Sequence, residues 1–130
     1  MTRQEIFETV ARHLFKQGRQ SKNPDLGAGC MYRGPDGTMC AIGALIPDEV
    51  YHPCMEGSAA FRLVENADSF GLPQSIFNDS NSAFLSHLQV MHDASSCWES
   101  TDTMRQVLGI VASNFNLDAS FLEELSFNRA

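Results

Sequence analysis

The sequence predicts an α+β fold: a single helix-dominated domain over residues 1–130, with about five helices and one small β-hairpin near 31–40. Three observations carry this expectation. Apolar residues recur at helical spacing in several separate segments. Pro35-Asp36-Gly37 lies between extended-type residues, a turn in which proline fixes φ and glycine supplies a positive φ. A chain of 130 residues, 43% of them hydrophobic, has the length of one domain and can bury a core without cross-links.

Taken in order, Thr2-Arg3-Gln4-Glu5 fits a capping box. Ile6, Phe7, Val10, Ala11, Leu14 and Phe15 then repeat on one face, and Gly18 is a stop, so a helix is expected over 2–17. Residues 19–29 have loop chemistry, with Asn23-Pro24 and two glycines. Met31-Tyr32-Arg33 and Thr38-Met39-Cys40 are the expected hairpin strands. An isolated hairpin is marginal in water, so this one must pack on helices. Ala41 to Ile46 is apolar throughout, and its small residues suggest a short helix packed closely on its neighbours, closed by Pro47. Ser58 is placed to cap a helix reaching Asn66. A short turn is expected at 73–77. Helices follow at about 82–91, on Phe84, Leu85, Leu88 and Met91, and at about 102–115, on Met104, Val107, Leu108, Val111 and Phe115. Asp118 is placed to cap a last short helix. Trp98 reads as a core anchor.

The net charge is −7, unevenly spread: +3 over residues 1–33 and −10 over 34–130. A general nucleic-acid binder needs a basic face, so direct nucleic-acid binding is not expected. No apolar run approaches a membrane span. The first fifteen residues carry acids among their apolar residues and read as neither signal nor transit peptide. These features point to a cytoplasmic protein. The four cysteines, Cys30, Cys40, Cys54 and Cys97, are expected as reduced thiols.

Three sets of residues suggest chemistry. Cys40 falls at an expected helix start, where free amides stabilise a thiolate. With His92 and Asp93 it has the composition of a nucleophile, a base and an orienting acid. Asp48, Glu49 and Glu56 surround Tyr51 and His52 in an acidic loop suited to a basic partner. Tyr32 and Arg33 offer a phenol and a guanidinium for a small nucleotide-like ligand. His52 with Cys54, and His92 with Cys97, lack the spacing of known metal motifs, so no metal and no cofactor are expected. No phosphate-binding glycine loop and no G-x-S-x-G elbow is present.

The run Cys30-x-Tyr32-Arg33, Gly37-x-x-Cys40-Ala41-Ile42-Gly43-x-Leu45-Ile46-Pro47-Asp48, Tyr51, Glu56-Gly57, with a later Leu88-Gln89-x-x-His92-Asp93, resembles a set of small bacterial and phage proteins without an assigned activity. More loosely, it is similar to small phage proteins with a Tyr-Arg segment and a cysteine followed by Leu-Gly-Val-Leu. These carry Asn-Asp later, with an aromatic five residues after the Asp, a spacing that Asp93 and Trp98 keep. The resemblance implies an accessory protein of phage or mobile-element type. It also implies Asn where this chain has His92, and Asn cannot act as a general base.

The leading expectation is therefore a non-enzymatic protein that binds a host macromolecule such as a defence or regulatory component. Its binding residues would be Tyr32, Arg33, Asp48, Glu49, Tyr51 and Glu56. The alternatives are a hydrolase or transferase using Cys40, His92 and Asp93, and a binder that sequesters a small nucleotide-like ligand.

Overall fold

The computed structural model describes residues 1–22 and 30–128. The described residues form five α-helices: α1 Arg3–Gln17, α2 Ala60–Glu65, α3 Ala67–Phe70, α4 Ser82–Asp93 and α5 Thr101–Asn114. Single 3₁₀ turns join them, among them Gly43–Leu45, Ser95–Trp98 and Ser120–Glu124. The loop expected over 19–29 falls largely outside the described residues. Among the described residues, no helix is long and apolar enough to cross a membrane.

α1 forms for the reasons its sequence gives. The Thr2 hydroxyl accepts the Glu5 N–H at 3.1 Å, and the Glu5 carboxylate accepts the Thr2 N–H at 2.8 Å. Its stripe of Ile6, Phe7, Val10, Ala11, Leu14 and Phe15 is buried. The charged side of α1 is not merely solvated. Arg3 donates to Asn81 Oδ1 and the Ser80 carbonyl and lies over the Phe84 and Phe115 rings. Gln4 exchanges two hydrogen bonds with the backbone of Asp118.

The expected β-hairpin is absent. The described residues contain no strand, only two isolated bridges, Lys22 with Cys30 and Arg33 with Met39. The fold is therefore helical and not α+β. The turn itself is present: Asp36 and Gly37 take φ of 60° and 74°, and the Gly34 N–H donates to the Thr38 carbonyl at 2.8 Å. What fails is the ladder, because side chains from elsewhere take its backbone groups. The Tyr32 and Arg33 N–H groups donate to the Glu56 carboxylate at 2.9 and 3.1 Å. The Met39 N–H donates to Gln17 Oε1, and its carbonyl accepts from Gln17 Nε2 and from His13 Nε2. With those groups satisfied elsewhere, the arms pair only at the Arg33–Met39 bridge beside the turn and do not extend into a ladder.

Other boundaries also shift. Residues 41–46 make one 3₁₀ turn, not a helix. α2 starts after Ala59 and takes no side-chain cap from Ser58. α5 is capped by Ser100, whose hydroxyl accepts the Thr103 N–H at 3.1 Å, while the Thr101 hydroxyl accepts from the Phe127 N–H. Asp118 accepts from the Ser120 N–H, but the turn that follows is 3₁₀.

The core lies between α1, α4 and α5, with α2 packed on α4 and the 43–45 turn packed on α1. Phe7, Phe15, Phe84, Leu88, Met104 and Leu108 are fully enclosed. Each such side chain stabilises the fold by roughly 1.5–3 kcal/mol through burial. Trp98 is buried and stacks on Phe127 with ring centroids 5.6 Å apart.

Candidate functional site

The C-terminal end of α4 gathers the polar groups of the interior. His92 is fully buried. Its carbonyl accepts from Gln20 Nε2 at 3.0 Å and from Trp98 Nε1 at 2.8 Å. Its ring Nε2 faces the Ser21 backbone N–H at 3.2 Å. A backbone N–H can only donate, so Nε2 is the acceptor and the ring proton sits on Nδ1. Nδ1–H then donates to Asp93 Oδ1 at 3.0 Å. Gln89, one turn earlier on α4, donates to the same oxygen at 2.9 Å.

The cysteine beside this pair is Cys30. Its Sγ, a His92 ring nitrogen and an Asp93 oxygen all lie within 4.8 Å of one another. Burial, with the hydrogen bond and negative charge of Asp93, pushes the Cys30 thiol up to about 11. Cys40 lies outside that cluster but beside Gln89, fully buried, with its sulfur accepting the Gly43 N–H at 3.2 Å. The amides of Gly43 and Ile42 favour a thiolate there, but burial outweighs them and raises Cys40 to about 12. A nucleophilic thiol needs the opposite balance. Neither thiol is activated.

Sulfur, imidazole and carboxylate are also a set of zinc donors. The hydrogen-bond order opposes that use. A metal on Nδ1 would move the ring proton to Nε2, where it would face the Ser21 N–H, donor against donor. The cluster is a clasp joining α4 to the 20–22 and 30 segments.

The residues expected to bind a partner are mostly tied to one another. Glu56 accepts the N–H groups of Tyr32 and Arg33 and the Tyr51 hydroxyl, the last at 2.6 Å. Tyr32 is buried, and its hydroxyl donates to the Ser58 carbonyl. The Arg33 guanidinium meets Asp48 Oδ1 at 2.6 Å and the Ile46 carbonyl at 2.5 Å, and lies over the Tyr51 ring. Burial and the Glu56 carboxylate push the Tyr51 phenol up to about 12. Glu49 and the Asp48 side chain are the exposed members.

The open concave surface lies on the other side of this network, along α4. One groove, about 460 Å³, runs between α2 and α4 and includes Tyr32, Phe61, Gln89, Val90 and Asp93 in its walls. A second, about 520 Å³, runs between α4 and α5 past Val90, Met91, Val107 and Ile110. The two share Ser86 and Val90. Phe61, Val90 and Ile110 are 45%, 69% and 60% exposed, large apolar side chains turned to solvent.

No protein-family model matches the chain, and no curated protein or solved structure matches it significantly. What the site does must be argued from its own residues.

Sequence reasoning singled out His92 and Asp93, which the fold brings together, and Cys40, which it buries beside Gln89 and outside their cluster. It gave no binding role to Cys30, Gln89, Val90 or Ile110, and it expected Phe61 on the buried face of the helix reaching Asn66, whereas Phe61 is exposed. A signal for two of these was present: Val90 and Ile110 are apolar residues off the apolar stripes of their helices.

Proposed function

We propose that this protein acts without catalysis, by docking a partner protein of basic surface onto the face formed by α2, α4 and α5. The observation that carries this is the pair of adjoining grooves meeting at Val90, with Phe61, Val90 and Ile110 exposed along them. Exposed apolar patches bordering grooves are what protein interfaces use. The face belongs to the acidic part of the chain, −10 over residues 34–130, which favours encounter with a basic partner. A host defence or regulatory component, suggested by the resemblance to phage proteins, is the kind of partner this reading takes.

A thiol hydrolase or transferase on Cys40, His92 and Asp93 has less support, since the sulfur is enclosed and its proton firmly held. A nucleotide-like ligand is also disfavoured. Arg33 is already paired with Asp48, and the groove beside Tyr32 presents a carboxylate that repels phosphate.

Paired surface variants test the reading. Val90→Glu with Ile110→Glu alters only exposed side chains, so the fold should persist by circular dichroism. Proteins captured from host cells by the wild type should be lost with this variant and kept with Asp48→Lys and Glu49→Lys. Capture that survives the first variant and fails with the second would move the interface to the acidic loop.

A further inference from the structure

The groove between α2 and α4 has a chemically distinctive end. Among the described residues lining it, Asp93 is the one charged at neutral pH, because the Cys30 thiol and Tyr32 phenol hold their protons. No lysine, arginine or histidine lines it. Asp93 is also preorganised. The His92 ring N–H and the Gln89 amide both fall on Oδ1, and no nitrogen among the described residues donates to Oδ2. The Cys30 thiol also hydrogen-bonds the Asp93 carboxylate, whose side chain is still 45% exposed and so can take a further donor from the groove. The walls leading to it are apolar, from Ala59, Ala60, Phe61 and Val90.

We propose that this groove receives a lysine or arginine side chain of the partner protein. Its methylene stem lies along Phe61 and Val90 and its charged end donates to the exposed part of the Asp93 carboxylate. Long basic side chains are built for such a site, an apolar stem ending in a cation. A fixed, partly desolvated carboxylate loses little freedom on forming the charge-assisted bond. An acidic ligand would meet Asp93 with like charge, and an apolar one would desolvate the carboxylate without giving it a donor. The inference rests on the docking face proposed above and names the group that enters it.

The test needs no partner. Nitrogen-15-labelled protein is titrated with N-acetyl-arginine methylamide and N-acetyl-lysine methylamide, with the norleucine and glutamate analogues as controls. The expected result is saturable amide shifts at residues 58–61, 89, 90 and 93 for the cationic probes, with a much weaker response to norleucine and none to glutamate. Asp93→Asn, which keeps an acceptor for His92 and Gln89, should weaken the cationic probes about tenfold, the worth of one charge-assisted contact near 1.4 kcal/mol. Equal response to norleucine, or no response to either cationic probe, overturns the proposal on the wild type alone. Such a failure would leave the docking face standing, because Val90→Glu with Ile110→Glu tests that face through the partner. Docking that survives Val90→Glu with Ile110→Glu, alongside intact probe binding, would remove the face and keep the cation site.

Discussion

Gly43 is where the chain tolerates least change. An ideal Cβ there would fall 2.0 Å from the Tyr32 carbonyl oxygen and 2.8 Å from its carbon, both backbone atoms that cannot swing away. Gly109, inside α5, has nothing within 4 Å of its Cβ position. The two should answer alanine with opposite signs. Gly43→Ala is expected to destabilise by about 3 kcal/mol or more, as overpacking against fixed backbone does. Gly109→Ala should stabilise by about 0.5–1 kcal/mol through helix propensity. Urea midpoints measure both. The close packing at Gly43 was legible from Ala41, Gly43 and Ala44, but its partner was not, since nothing local to 43 points to residue 32. Cysteine identity was illegible for a similar reason. Cys30 and Cys40 flank one turn, and only the crossing of that segment over α4 decides which sulfur meets Asp93.

His13 makes a second prediction at this scale. Its Nε2–H donates to the Met39 carbonyl at 3.0 Å, and burial, helped by the charges of Lys16 and Arg33, holds its pKa below the ordinary 6.5 despite that bond. The unfolded chain therefore takes up this proton first. Stability from this group is complete above 6.5 and declines as pH falls through the window below it. His13→Gln keeps a donor and should flatten the fall in melting temperature between about pH 7 and pH 5. An unchanged slope would locate the effect elsewhere.

At the level of elements, the long helices were legible because α1, α4 and α5 each carry enough turns to show their period. The 3₁₀ turns were not, being shorter than any period. The hairpin failed for a physical cause. Its turn is coded locally by Pro35, Asp36 and Gly37, whereas its hydrogen bonds go to Gln17, His13 and Glu56, remote in sequence. Glu56 is the pivot of that outcome, with two backbone amides and one phenol on its carboxylate. Glu56→Gln removes the charge and replaces one acceptor with a donor. A loss of about 1.5–3 kcal/mol is expected, read by thermal denaturation. The near-ultraviolet signal of the chain's two tyrosines should change with it. A variant as stable as the wild type would mean that these bonds contribute nothing net.

For the molecule as a whole, the acidic balance was legible from composition, but not where exposed apolar side chains gather. The carboxylates of the 48–56 loop drew attention because they cluster in sequence. Folding turns Glu56 inward and pairs Asp48 with Arg33, while Val90, Ile110 and Phe61, far apart in sequence, meet along two grooves. The account rests on that face. The direct measurement is site-specific photo-crosslinking in the host cell, with a photoreactive residue at position 90 in one protein and at position 49 in another. Both positions are exposed. The account predicts a discrete crosslinked partner of basic surface from position 90, suppressed by Ile110→Glu, and only diffuse labelling from position 49. A discrete partner from position 49, with none from position 90, would contradict it.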